Sequence, residues 1–167
     1  MPKILDACCG AKMFWFDREN PDVVYMDERR LETTLCDGRT LIIEPDVVGD
    51  FRRMPFPDGT FSLVVFDPPH LVKAGAKSWL ALKYGVLGND WREDLRRGFA
   101  ECFRVLKADG ILIFKWSEAQ VPLKEILPLA GHKALFGERR SRRHWVVFMK
   151  SGCFQNGTNH TERRLKI

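Results

Sequence analysis

The sequence predicts a doubly wound, mostly parallel α/β sheet that ends in an antiparallel C-terminal strand pair. Three observations carry this. Apolar runs of strand length alternate with segments of helical period, as strand–helix–strand units do. Four stretches of this kind end on an aspartate, namely Asp6, Asp27, Asp50 and Asp67, so parallel strands would gather four carboxylates along one edge of the sheet, where such folds bind ligands. The last two runs, Lys133 to Phe136 and Trp145 to Met149, follow each other with no helix between them, which suits an antiparallel pair.

The first run, Lys3 to Ala7, passes through Cys8-Cys9-Gly10 into Met13, Phe14 and Phe16. It reads as a short buried strand, a glycine turn and a helical segment. Val23 to Met26 and Val47-Val48 are the next parallel strands. Between them, Leu31 to Cys36 and Arg39 to Ile43 flank Asp37-Gly38, a dipeptide that favours a tight hairpin. A small hairpin is therefore expected where a doubly wound fold usually places a helix. Pro57-Asp58-Gly59 forms a turn before Phe61 to Phe66, a central strand, and the prolines of Asp67-Pro68-Pro69-His70 must end that strand because they cannot donate to a ladder.

From Leu71 to Gly88 the pattern loosens around Gly75, Gly85 and Gly88, with a short helix expected across Trp79, Leu82 and Tyr84. This stretch reads as a mobile flap. Asp90 is placed to cap a helix whose Trp91, Leu95, Phe99, Cys102, Phe103 and Leu106 recur every three or four residues, up to a stop at Asp109-Gly110. A strand at Ile111 to Phe114 follows, then a helix with Pro122 near its start and Leu123, Ile126 and Leu127 on its buried side. Gly137 to Arg143 is a basic hairpin tip joining the closing strands. Residues 1–150 form one domain, and the polar, aperiodic stretch 151–167 reads as a disordered tail.

Composition narrows the function classes. The chain has 167 residues, 45% of them hydrophobic, which suits one domain with one substantial core. No apolar run is long enough to cross a bilayer and the N-terminus has no charged-then-apolar leader, so no membrane role and a cytoplasmic location are expected. Five cysteines, two of them adjacent at Cys8 and Cys9, lack the spacing of metal ribbons. Reduced thiols and no metal are expected, and the acceptor triplets at Asn156 and Asn159 carry no glycan in such a protein. The net charge of +5 comes with basic pairs at Arg29-Arg30, Arg52-Arg53, Arg96-Arg97, Arg139-Arg140 and Arg142-Arg143. These suit either a polyanionic partner or solvated surface.

Together the strand-end acids fit a nucleoside ligand. A glycine turn after the first strand lets a ligand approach the backbone, and an acid ending the second strand accepts from both ribose hydroxyls. Asp50 and the amide of Phe51 are placed to read an adenine edge. There is no Gly-x-Gly-x-x-Gly and no phosphate-cradling lysine loop, so the ligand expected here lacks phosphates.

On these residues the chain, over roughly 3–150, resembles the class I S-adenosylmethionine-dependent methyltransferases, with their Rossmann-like fold. Asp6-Ala7-Cys8-Cys9-Gly10 resembles the family's first motif, Asp27 its ribose acid and Gly49-Asp50-Phe51 its adenine pocket. Arg52 to Asp67 is similar to the run into the family's fourth strand, and Arg104 to Gly110 to the turn before the fifth. The resemblance implies S-adenosylmethionine as cofactor, bound by Asp6, Ala7, Cys8, Gly10, Asp27, Asp50, Phe51 and Asp67. Cys8 and Cys9 stand where a glycine is common.

Asp67-Pro68-Pro69-His70 resembles the Asp/Asn-Pro-Pro-aromatic motif of the branch that methylates planar amino groups on adenine, cytosine or glutamine. The resemblance implies that Asp67 and the Pro68 carbonyl accept hydrogen bonds from the target amino group, so that positioning supplies most of the catalysis. Pro69 belongs to the same catalytic motif, and His70 replaces the aromatic residue that stacks on a flipped base. Trp79 and Tyr84 are candidates for the missing aromatic surface, with Trp79 preferred, while Arg139, Arg140, Arg142 and Arg143 are placed to contact phosphates. Lys115 reads as a snorkelling surface lysine, and Trp116 is a third candidate for the aromatic surface, although such residues more often belong to the core.

The first functional expectation is methyl transfer to an exocyclic amino nitrogen of a nucleic acid base, DNA or RNA. The chain has no insertion large enough for a target-recognition domain, so a partner subunit, a structured RNA or a small substrate would each explain its size. It is similar in this to short methyltransferase-like proteins of phage and prophage genomes. Methylation of a protein glutamine or a small-molecule amine, and a catalytically silent cofactor-binding module, are the alternatives.

Overall fold

The computed structural model describes residues 2–75, 78–138 and 142–151. In chain order its strands are β1 (Ile4–Asp6), β2 (Val23–Asp27), β3 (Leu31–Thr34), β4 (Thr40–Ile43), β5 (Val47–Val48), β6 (Phe61–Phe66), β7 (Leu106–Ser117), β8 (Phe136–Glu138) and β9 (Arg143–Met149). The helices are α1 (Trp79–Tyr84), α2 (Trp91–Val105) and α3 (Leu123–Ile126), the last running on as a 3-10 turn, Leu127–Ala130.

Seven strands form one sheet in the order β5-β2-β1-β6-β7-β9-β8. The first five lie parallel, and β9 runs antiparallel to both of its neighbours. The chain moves outward from β1 to β2 and β5, then returns to the other side of β1 with β6 and β7. The strand order therefore reverses between β1 and β6, the place where open α/β sheets bind ligands. β3 and β4 form the expected Asp-Gly hairpin, with Gly38 at φ +82°.

The main core lies under α2, whose buried stripe of Trp91, Leu95, Phe99, Cys102, Phe103 and Val105 repeats at helical spacing. Phe66 of β6 meets the rings of Phe51, Phe99 and Phe114 at centroid separations of 5.5, 5.4 and 5.8 Å. Gly98 permits this packing: a Cβ there would stand 2.7 Å from ring atoms of both Phe51 and Phe66. Arg104, from the last turn of α2, pins the approach to β6. It donates to the carbonyls of Met54 and Phe56 at 3.0 and 2.7 Å, and to the carboxylates of Glu101 and Asp58.

Three expected elements differ. The segment after β1 is a run of turns, not a helix: Lys12 has φ +53°, Phe16 is fully exposed, and Trp15 folds back to pack edge-on against Tyr25 at 5.5 Å. Trp15 thereby packs with Cys9 over Ile4, Val23 and Tyr25, the face of β1 and β2 that points away from the main core, and Lys12 lies over the Tyr25 ring, so the turn segment takes the place of a covering helix. α2 stops at Val105 and not at Asp109-Gly110, because Leu106 turns extended and pairs with Phe61. Asp90 sits at its N-cap position without a side-chain cap bond. β8 begins at Phe136, where Lys133 was expected, since Leu135 only joins β9 through one backbone bond to Val147. Ser151 apart, the expected tail lies outside the described residues.

Candidate active site

A cavity of about 420 Å³ opens at the carboxyl ends of β1, β2, β6 and β7. Asp6, at the end of β1, is completely buried beneath it. Its Oδ2 accepts a 2.7 Å hydrogen bond from Trp15 Nε1 and its Oδ1 a 3.3 Å bond from the Cys8 amide. These bonds bend the chain into the turn where Gly10 takes φ +49°, and the turn presents Ala7, Cys8, Cys9 and Gly10 to the cavity. Burial pushes the Asp6 carboxyl up to about 7, against the two hydrogen bonds that favour its charge and with the repulsion of Asp67 and Asp27. Burial also pushes the Cys8 thiol well up, so a neutral thiol faces the cavity.

Asp27, buried at the end of β2, accepts the Gly10 amide on Oδ2 at 2.9 Å. Its Oδ1 takes the amide and Nε of Arg29 at 2.9 and 3.1 Å. A carboxylate oxygen has two lone pairs, so Oδ2 keeps capacity for a hydroxyl donor. Past β5, Phe51 forms a buried wall of the cavity. Asp50 does not line it. Its carboxylate turns onto Arg52 Nε at 2.8 and 3.0 Å, and burial pushes Asp50 up by less than Arg52 pulls it down.

Asp67 follows β6 directly and lines the cavity. Its Oδ2 pairs with Lys115 Nζ, while its Oδ1 takes no hydrogen bond among the described residues. The pairing follows from strand register: Phe66 lies beside Phe114 in the parallel β6–β7 ladder, so the next residues, Asp67 and Lys115, emerge side by side. Pro68, Pro69 and His70 continue along the cavity wall. Burial holds the His70 imidazole below its ordinary value, helped by the charges of Lys115 and Arg143, which favours the neutral ring.

Helix α1 closes one side. Its Tyr84 ring lies 5.1 Å from His70, and Gly85, at φ +75°, sits so near Pro69 that a Cβ would stand 3.0 Å from it. Arg29 Nη1 donates to the Leu82 carbonyl at 2.9 Å, tying α1 to the residue that also holds Asp27.

The structure therefore gathers Ala7, Cys8, Gly10, Asp27, Phe51, Asp67, Pro68, Pro69, His70, Tyr84 and Arg143 around one cavity. Asp6, Asp50, Trp79 and Arg142 are not in its lining. Asp6 lies behind the turn, and Trp79, the preferred aromatic, is exposed on α1. Arg139 and Arg140 lie outside the described residues. Lys115 is not the surface lysine that its sequence position suggests; it reaches inward to Asp67, over the rings of Phe14 and Trp145. Arg29 and Phe14 were likewise not singled out as site residues. Among the described residues no group of His, Cys, Asp and Glu side chains is placed to hold a metal ion, and no helix is long and apolar enough to cross a membrane.

No family model and no curated protein matches the chain. Solved structures do share its fold. A TehB-like SAM-dependent methyltransferase from Corynebacterium glutamicum superposes with a TM-score of 0.55 at 16% identity, over 90% of this chain and 80% of its own. A SAM-dependent methyltransferase from Methanosarcina mazei gives 0.55 at 13% identity, over 89% and 92%. A 16S rRNA N2 methyltransferase from Thermus thermophilus, in complex with AdoMet and guanosine, gives 0.54 at 11% identity, over 91% of this chain and 36% of its own. The chain has the Rossmann-like class I methyltransferase fold.

Proposed function

We propose that this chain is an S-adenosylmethionine-dependent methyltransferase acting on an exocyclic amino nitrogen, that of a nucleic acid base. The observation that carries the reading is the meeting, in one cavity at the switch in strand order, of a glycine turn, a buried strand-end carboxylate and an Asp-Pro-Pro sequence. The donor chemistry suits the cofactor. Asp27 Oδ2 retains room for a ribose hydroxyl, Phe51 offers an apolar face to adenine, and the Gly10 turn allows close approach to the backbone. When bound, the cofactor supplies an activated methyl group. Asp67 Oδ1 and the Pro68 carbonyl accept the hydrogen bonds of the target amino group and orient its nitrogen, which is catalysis by positioning.

A planar base suits the aromatic and imidazole pair of Tyr84 and His70 beside that motif. The Thermus neighbour, whose name places it on rRNA, supports the choice of such a substrate. Arg143 at the cavity and the exposed Arg142 beside it would meet phosphates.

Calorimetric titration of S-adenosylmethionine into the wild type and Asp27→Ala is the first test. Binding that weakens at least tenfold in the variant supports the cofactor site, and the absence of wild-type binding removes the proposal. Labelled methyl transfer onto DNA, RNA and protein then separates the substrate classes. Transfer to nucleic acid that falls steeply with salt supports phosphate tracking, whereas salt-insensitive transfer to protein overturns the choice of substrate.

A further inference from the structure

We propose that Lys115 is a positioning residue for methyl transfer: its ammonium, seated beside two aromatic rings, holds Asp67 as an ionised acceptor with one oxygen turned to the substrate. This rests on the methyltransferase reading of the site.

The ammonium is held by one carboxylate and by two adjoining rings. It pairs with Asp67 Oδ2, and it lies 5.2 Å from the Phe14 ring centroid and 5.7 Å from that of Trp145. Those two rings meet edge to face at 5.5 Å. Trp145 is the antiparallel partner of Lys115 in the β7–β9 ladder, so the ring is delivered by register. Phe14 comes from the turn segment that Trp15 anchors to Asp6. A cation facing aromatic rings is held by their negative faces, and here that leaves little freedom to swing into solvent.

The pairing matters because Asp67 must accept hydrogen bonds from an amino group, and only the ionised carboxylate is an acceptor on both oxygens. Burial pushes the Asp67 carboxyl up, toward the protonated form that would donate instead; Lys115 offsets part of this through its charge and its hydrogen bond, and the carboxyl stays above its ordinary value. With Oδ2 engaged by Lys115, Oδ1 is the oxygen left for the substrate. The lysine also fixes the carboxylate plane, which sets the direction from which an amino group can be held.

The test has two readouts. The first is the ¹³C NMR titration of the Asp67 carboxyl, assigned by its disappearance in Asp67→Asn, in the wild type, Lys115→Met and Lys115→Arg. The midpoint is expected to rise by at least one pH unit in Lys115→Met and to return toward the wild type in Lys115→Arg. An unmoved midpoint overturns the proposal. The second is the pH profile of labelled methyl transfer from S-adenosylmethionine to single-stranded adenine- and cytosine-containing oligonucleotides. On its acid limb Lys115→Met should lose about tenfold in kcat for each unit of midpoint shift, recover as pH rises, and keep the wild-type affinity for S-adenosylmethionine by calorimetry. A moved midpoint with an unchanged profile overturns the catalytic role. A moved midpoint with no transfer by the wild type leaves the hold of Lys115 on Asp67 established and overturns the choice of an adenine or cytosine base as substrate alone.

Discussion

Trp15 Nε1 donates a 2.7 Å hydrogen bond to Oδ2 of Asp6, whose carboxyl is fully buried beneath the cavity. The bond joins a side chain that covers the second face of β1 and β2 to the acid that ends β1. It also places a carboxyl whose ionisation the fold resists.

That resistance gives a pH dependence. Asp6 titrates near 7 in the folded chain against 3.8 in the unfolded one, so between those values the native state holds more protons. Its contribution to stability is full below about pH 4 and is lost as pH rises through 7, at up to about 1.4 kcal/mol per pH unit. Urea denaturation at pH 5 and 8 should show the wild type losing stability relative to Asp6→Asn, which keeps an acceptor for Trp15 but carries no charge. Parallel curves for the two proteins would refute the assignment.

Gly98→Ala tests the approach of α2 to the aromatic core. Helix propensity favours alanine by about 1 kcal/mol. The new methyl would meet Phe51 and Phe66 at 2.7 Å, and overpacking of a filled core costs about 1–3 kcal/mol. Overpacking should win, lowering the thermal midpoint, and S-adenosylmethionine binding should weaken as well because Phe51 is a cavity wall.

Replacing Arg104 with methionine removes the donor to two carbonyls and two carboxylates at once. The site is partly exposed, so a loss of about 2 kcal/mol is expected, below the roughly 3–5 kcal/mol of a fully buried pair. The lost stability should appear in urea melts with an unchanged m-value, since the unfolded chain is not altered.

His70 is predicted to titrate below 6.5 by NMR, because its ring is half buried and faces the charges of Lys115 and Arg143. Arg143→Met should raise the midpoint by removing one of those charges. A wild-type midpoint at or above 6.5 would mean that the ring is solvated, and its place beside Tyr84 would have to be revised.

Much of this was legible in the sequence, for reasons that vary by element. The β3–β4 hairpin was visible because Asp37-Gly38 satisfies its turn locally, and α2 because a long buried stripe leaves a period. The strand-end acids were visible because parallel strands end at a common edge. What escaped detection depended on neighbours distant in the chain. Lys115 follows an apolar strand just as a surface lysine would, and only the adjacency of β6 and β7 turns it toward Asp67. Met13, Phe14 and Phe16 imitate a helical stripe, yet they serve a turn that Trp15 and Asp6 hold. β8 is exposed along its whole length, so it carries no burial pattern to mark its start.

The register that sets Asp67 beside Lys115 also decides when the pair can exist. The two residues are 48 positions apart in the chain, with α1 and α2 between them, and parallel strands meet only after such a crossover has closed. Pairings of this kind form slowly, because the entropy of loop closure is lost before any contact is gained. The pair is therefore a marker of finished folding: a collapsed intermediate with α2 formed but β7 not yet docked would have no Lys115 beside Asp67. Refolding followed through the Asp67 carboxyl should lag behind refolding followed through helix content.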